Sequence, residues 1–243
     1  MSGRVLIAGA ATAAAIAHVG PTVTGWDRLR TVLWPRLAGV GRRDGVALTF
    51  DDGPDPHGTP AVLEQLEALG WKATFFLLGS QTRLYPDHAR AVVAAGHEIA
   101  VHGDVHRSHL FRTPADVAGD LQRALVTIRE VTGTQPRYCR PPYGVVTSGT
   151  LRAARRTGLQ PLLWTSWGKD WQRSSTPRRV VEKLDRTLGP GGTLLLHDSD
   201  CTSTPGSWRA TAASLPLLAE ELARRGLAVR PVGEHLGRVG DRG

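Results

Sequence analysis

The chain has no asparagine, one methionine, two cysteines and only three lysines, Lys72, Lys169 and Lys183, in 243 residues. Two cysteines exclude a disulfide framework. Cys139 and Cys201 each lie beside a motif described below, so a single bridge, two inert thiols or a spare metal ligand all stay open, with two inert thiols the expectation. Because lysine is scarce, the net charge of +8 is carried by arginine. An Ala-, Gly- and Arg-rich chain without asparagine fits GC-biased coding; the functional alternative is attraction to an anionic polymer or membrane surface. The arginines scatter and do not interleave with aromatic residues, so nucleic acid is not an expected partner. No internal repeat, charge block or low-complexity linker follows residue 45. No Gly-x-Ser-x-Gly elbow occurs, no phosphate loop precedes Gly168-Lys169, and no Gly-x-Gly-x-x-Gly follows a strand. Serine-hydrolase, nucleotide-phosphate and dinucleotide chemistry thus lack their signatures.

A long apolar run is also missing. Val5 to Ala17 is too short to span a bilayer comfortably, though Arg4 before it and Ala15-Ile16-Ala17 at its end have the form of a secretory signal. A signal peptide, a weak anchor and a merely Ala-rich leader are the readings of this segment. Trp26 to Leu37 mixes Trp26, Leu29, Val32, Leu33 and Leu37 with Arg28, Arg30 and Arg36, which suits a membrane surface or, more commonly, a helix packed on a domain. Residues 1–44 are therefore set apart as a leader from a domain spanning 45–243. That places the protein outside the cytoplasm or at a membrane, with cytoplasmic residence open.

What the chain does have is a recurring strand followed by a helix. Apolar content of 41% and charged content of 21% describe a globular chain of one-domain size. Strands are predicted at Val46–Phe50, Ala73–Leu77, His97–Val101, Arg137–Cys139, Pro161–Trp164, Thr193–Leu196 and Leu227–Arg230. Between them, Thr59-Pro60, Pro86, Thr113-Pro114, Ser148, Thr176-Pro177 and Trp208 open six helices, closed by Gly70, Gly96, Gly133, Gly158, Gly189 and Gly226. Seven strands alternating with six helices argue for a parallel α/β sheet, closed or nearly closed into a barrel.

In such barrels the chemistry sits on the loops after the strands. Every unusual polar residue falls there. Asp51-Asp52 follows the first strand, His102-Gly103-Asp104-Val105-His106 the third, and Arg140-Pro141-Pro142-Tyr143-Gly144 the fourth. Asp170-Trp171 follows the fifth, and His197-Asp198 ends the sixth. Adjacent carboxylates at the end of a buried strand need a cation. His102 and His106, four apart, suit one metal, and Asp51 or Asp52 completes three ligands with a position left open. A zincin motif is excluded, because His97-Glu98 is followed by His102, one residue too far. The carboxylate that is not a ligand is free to act as general base, with Arg140 holding it ionised. His197 is placed to protonate a leaving group, its tautomer set by Asp170 or Asp198.

Together these motifs resemble the polysaccharide deacetylases of carbohydrate esterase family 4, the NodB-homology domains, over roughly Gly45 to Val232. Thr49-Phe50-Asp51-Asp52-Gly53-Pro54-Asp55 is similar to the first family motif, and Gly96-His97-Glu98-Ile99 leading to His102 and His106 resembles the second. Arg140-Pro141-Pro142-Tyr143-Gly144, Asp170-Trp171 and Leu195-Leu196-His197 resemble the third, fourth and fifth. The resemblance implies an α/β fold, a distorted (β/α)7 barrel, and a metal-dependent removal of N-acetyl, less readily O-acetyl, groups from a chitooligosaccharide- or peptidoglycan-type glycan. It implies Asp51 as base and Asp52, His102 and His106 as ligands of one divalent ion, zinc before cobalt, iron or nickel. It further implies that Arg140 holds the base, that the Tyr143 amide supports the oxyanion, and that Asp170 tunes His197, the general acid. Trp171 would line the groove and Leu195 would wall the acetyl pocket.

Two departures are visible. Gly103 stands where the family usually has Ser or Thr, which removes a hydroxyl expected to brace the ligand loop. Trp167 stands where the family usually has Asp, and with Trp164 and Trp171 makes the groove more aromatic. These two features favour the rival reading of a glycan-binding protein without turnover; a second rival is an amidohydrolase acting on a small amide. The chain is expected as a monomer, with peripheral association to membrane or cell wall open.

Overall fold

A computed structural model describes residues 15–237 of the chain. The apolar run from Val5 and its signal-like reading lie largely outside the described residues. Among the described residues eight strands appear: β1 Gly45–Asp51, β2 Thr74–Leu78, β3 Glu98–Gly103, β4 Tyr138–Cys139, β5 Gln160–Pro161, β6 Ser166–Trp167, β7 Thr193–His197 and β8 Ala228–Arg230. They form one parallel sheet in the order β5-β4-β3-β2-β1-β7-β6, with β8 paired to the start of β1. The sheet curls into the expected distorted α/β barrel.

Strand alternation decides what faces where. On β1, Val46, Leu48 and Phe50 point outward into the main core beneath the helices, where Phe50 stacks on Phe75 at 5.0 Å. Ala47 points inward with Phe76, Ala100, Tyr138 and Leu162. The same alternation sends Leu194 and Leu196 outward and Leu195 inward on β7. Thr49 and Asp51 therefore share the inner face of β1, and Asp51 lies in register with His197 on the neighbouring β7. Burying each such core side chain contributes about 1.5–3 kcal/mol.

The strand expected at Pro161–Trp164 is not formed. It is replaced by β5 and β6, the two ends of the sheet, which do not pair with each other. Residues 162–165 cross the gap between them. The Leu162 amide donates to Cys139, the Leu163 amide to Leu37 and the Thr165 amide to Thr193, so no neighbour offers a regular ladder. Three successive carbonyls then find side-chain donors instead: Arg140 donates to Leu162 and Leu163, and Arg30 to Trp164.

Other expectations shift for local reasons. The first helix after β1 is Gly58–Ala68, and Thr59 is not its cap. Its hydroxyl instead accepts from the Asp55 amide and donates to Asp198. The helix after Thr176 is Pro177–Asp185 and stops short of Gly189. Short helices Gly79–Leu84 and Val232–Leu236 carry no strong sequence signal and were not expected. Pro114–Thr132 carries the expected Thr113/Asp116 capping box and ends at left-handed Gly133. The cysteines do not pair: Cys139 is buried in the main core and Cys201 is exposed.

The segment before β1 is built into the same body. Leu37 accepts from Leu163, the Gly41 amide donates to Gly191, and Gly39 accepts from the Thr193 hydroxyl. Asp27–Leu33 is a helix that packs through a buried arginine, Arg30, which donates to Thr24, Asp27 and Trp164. Trp26, Val32 and Leu33 stay exposed. Among the described residues no helix is long and apolar enough to cross a membrane.

Replacing Arg30 by Ala strips two buried carbonyls of their donor. It is expected to destabilise the fold by about 2–4 kcal/mol, read from the urea unfolding midpoint.

Candidate active site

Asp51 ends β1 facing inward, 2% exposed. Arg140, fully buried just after β4, donates to Asp51 Oδ1 at 2.6 Å and to the Thr49 hydroxyl at 2.9 Å through the same nitrogen. Its remaining bonds go to Leu162 and Leu163 carbonyls, and its guanidinium lies 3.9 Å over the Phe76 ring. Burial lowers the Arg140 pKa, and Asp51 offsets this. The pair is therefore a fixed, desolvated unit.

Alternation alone would send the next residue, Asp52, outward. Its backbone instead adopts φ +76°, a region that non-glycine residues rarely occupy. That turn brings Asp52 Oδ1 within 3.2 Å of His102 Nε2 and 3.5 Å of His106 Nε2. Burial opposes ionisation of Asp52, but the close His102 imidazole, with His197 and His106, outweighs it and holds the carboxyl below the usual carboxylate range. Burial pushes His106 down to about 4, so its imidazole is neutral at pH 7. Asp52 Oδ1 is buried with no hydrogen-bond partner, and so are Nδ1 of both histidines.

Asp52, His102 and His106 place one ligand atom each within 4.8 Å of one another. One unpaired buried carboxylate oxygen facing two imidazole nitrogens fits a divalent ion of zinc type, with cobalt, iron and nickel compatible with the same donors.

The His102–His106 loop does not need a hydroxyl at position 103. Gly103 has φ +105°, and a Cβ there would sit 3.0 Å from Asp120 Oδ2. That same oxygen accepts from the Asp104 amide at 2.8 Å, while Arg112 pairs with the other oxygen at 3.0 Å. Asp120, on the helix Pro114–Thr132, thus braces the ligand loop from behind.

His197 closes the opposite side. Asp170, fully buried, accepts from the His197 amide at 2.7 Å and from the Thr211 hydroxyl at 2.6 Å, and pairs with His197 Nδ1 at 2.8 Å. Burial works against charge on His197, but Asp170 prevails and raises its pKa to about 9. Asp198 is not the tautomer-setting group: it lies under Gly53, accepts from Thr59, and burial raises it to about 7.

These groups face a cavity of about 230 Å³ lined by Tyr143, Trp164, Trp167, Trp171 and Leu195. Trp164 and Trp167 lie 5.5 Å apart and Trp167 and Trp171 6.3 Å apart, a continuous aromatic wall. Tyr143, exposed and at φ +60°, packs edge-on against His106 at 4.4 Å. Asp51, Asp52, His102, His106, Tyr143, Trp171, Leu195 and His197 line this cavity, and Arg140 and Asp170 stand behind it, bonded to Asp51 and His197. Three were missed: Thr202, Thr211 and Asp120. Each is an ordinary polar residue in a loop or helix, and no spacing marks it.

The model of the polysaccharide deacetylase family matches residues 38–162. The chain is 35% identical over 195 residues to a chitooligosaccharide deacetylase of Bradyrhizobium sp. (strain ANU 289), covering 77% of this chain and 88% of that one. It is 30% identical over 188 residues to a peptidoglycan-N-acetylglucosamine deacetylase of Bacillus cereus, covering 77% and 68%. Among solved structures, a family 4 carbohydrate esterase from Streptomyces lividans in complex with acetate matches with a TM-score of 0.68 at 30% identity, covering 76% of this chain and 91% of that one.

Two outcomes follow from the geometry. By NMR titration His197 is expected to titrate near 9 and to fall well below that in Asp170→Asn. Since the folded value lies above the ordinary imidazole value, its contribution to stability is full below the latter and is lost as pH rises through about 9. Gly103→Ser, which adds a hydroxyl, is expected to destabilise by about 1–2 kcal/mol through the positive φ and the approach to Asp120, measured by thermal unfolding.

Proposed function

This chain belongs to the polysaccharide deacetylase family, and we propose that it removes N-acetyl groups from a chitooligosaccharide- or peptidoglycan-type glycan at the cavity between Asp51, His102 and His197. The observation that carries this reading is a carboxylate and an imidazole, each fixed by its own buried partner, facing one ligand set. Asp51 is held by a permanently charged arginine, and His197 is held protonated by Asp170. A fixed base and a fixed acid at one site are what amide hydrolysis requires.

Asp52, His102 and His106 would hold the divalent ion. Bound there, it supplies Lewis-acid polarisation of the acyl carbonyl and lowers the pKa of water. Asp51 takes a proton from the attacking water, and Arg140 keeps that carboxylate oriented while it does so. The Tyr143 amide, turned by the residue's left-handed backbone, supports the negative oxygen of the tetrahedral intermediate. His197 gives its proton to the departing nitrogen, so water and amide become acetate and a free amine. Leu195 walls the small acyl group, and Trp164, Trp167 and Trp171 present flat apolar faces to sugar rings. A peptidoglycan-type substrate would place this activity outside the cytoplasm. The presence of every reacting side chain supports turnover over mere glycan binding, and the open aromatic wall supports a glycan over a small amide.

The test is acetate release from N-acetylated chitooligosaccharides and peptidoglycan fragments by zinc-loaded protein. Asp51→Asn is expected to lower the rate by about 10²–10⁴-fold while the fold is retained. Equal release by the variant would remove Asp51 from the role of base.

A further inference from the structure

We propose that Thr202 is a positioning residue for Asp52, fixing one carboxylate oxygen so that the other faces the metal. This rests on the reading of Asp52, His102 and His106 as the ligand set. Thr202 lies in the loop between β7 and the helix Trp208–Arg224, far in sequence from all three. Its hydroxyl donates to Asp52 Oδ2 at 2.6 Å. The other oxygen, Oδ1, is the one within 3.5 Å of both histidine Nε2 atoms, and it has no hydrogen-bond partner.

A free carboxylate can offer either oxygen, or both, to a cation. Rotation about its terminal bond exchanges them. A donor on one oxygen breaks that symmetry: Oδ2 is engaged, and Oδ1 alone carries an open lone pair toward His102 and His106. Among the described residues no other hydroxyl donates to any of the three ligands. Gly103 supplies none, so the hydroxyl that orients the set comes from the opposite side of the cavity.

The loop is tied by its own hydrogen bonds. Ser199 Oγ accepts from the Cys201 amide at 3.1 Å, Asp200 accepts from the Gly206 amide, and the Ser203 amide donates to the Asp200 carbonyl at 3.0 Å. Cys201 Sγ reaches the Asp52 carbonyl oxygen at 3.5 Å. Residues 201 and 202 thus meet Asp52 at both main chain and side chain, where its backbone is held at φ +76°.

The experiment measures zinc affinity of metal-stripped wild type, Thr202→Val and Thr202→Ser by competition with a chromogenic chelator, together with the unfolding temperature of each metal-free protein. Valine keeps the shape and removes the donor; serine keeps the donor. Thr202→Val is expected to bind zinc about 10–100-fold more weakly, the range for partners that orient metal ligands, with an unchanged metal-free unfolding temperature. Thr202→Ser is expected to stay within about 3-fold of wild type, below that range. Zinc binding by Thr202→Val as tight as wild type would overturn the proposal, and so would a Thr202→Ser variant as weak as the valine. Failure of the wild type itself to bind zinc would overturn the ligand set, a result visible before any variant is compared.

Discussion

The structure depends on one buried guanidinium. Arg140 sits at zero exposure inside the barrel and uses its donors on four acceptors: Thr49, Asp51, and the carbonyls of Leu162 and Leu163. The last two lie in the stretch where the sheet fails to close. A neutral side chain there would leave two buried carbonyls unpaired and Asp51 buried without a counter-charge, each a penalty of kcal/mol size. The same group therefore seals the gap in the barrel and orients the carboxylate that faces the cavity. Its planar face against Phe76 allows this in a confined space, which lysine's point charge would not do.

Around that centre, the two adjacent aspartates are separated in role by backbone conformation. Strand alternation points Asp51 inward to Arg140; a positive φ turns Asp52 inward as well, but toward His102 and His106. Asp51 takes Arg140 as its counter-charge at 2.6 Å, while His102 lies between the two carboxylates, 3.2 Å from Asp52 Oδ1 and 3.7 Å from Asp51 Oδ2. The histidine loop shows the same economy of means. Gly103 permits the turn that Asp120 requires, and Asp120 then carries the bracing that a side chain at 103 would have carried.

The N-terminal segment backs the wall of the site. Arg30 caps the carbonyl of Trp164, the residue whose ring begins the aromatic wall. Residues 37–41 bond to β7 and to the gap, so the edge of the barrel beside that wall is held by chain from before β1.

By itself the sequence determined the strand–helix alternation, the parallel barrel class and the rim on which the chemistry falls. Those are local properties: alternating apolar residues, caps such as Thr113 with Asp116, and Asp, His or Arg at strand ends. The inward facing of Asp51, His102 and His197 follows from the period of two, but only after the packed core has shown which face is outer. Only the tertiary structure decided that Pro161–Trp164 is not a strand, since pairing depends on which neighbours remain when the sheet curls. It alone decided that Asp170 rather than Asp198 holds His197, and that Thr202, Thr211 and Asp120 support the site. A single hydroxyl or carboxylate has no periodicity to betray it; its role exists only where folding brings it within hydrogen-bond distance of a distant partner.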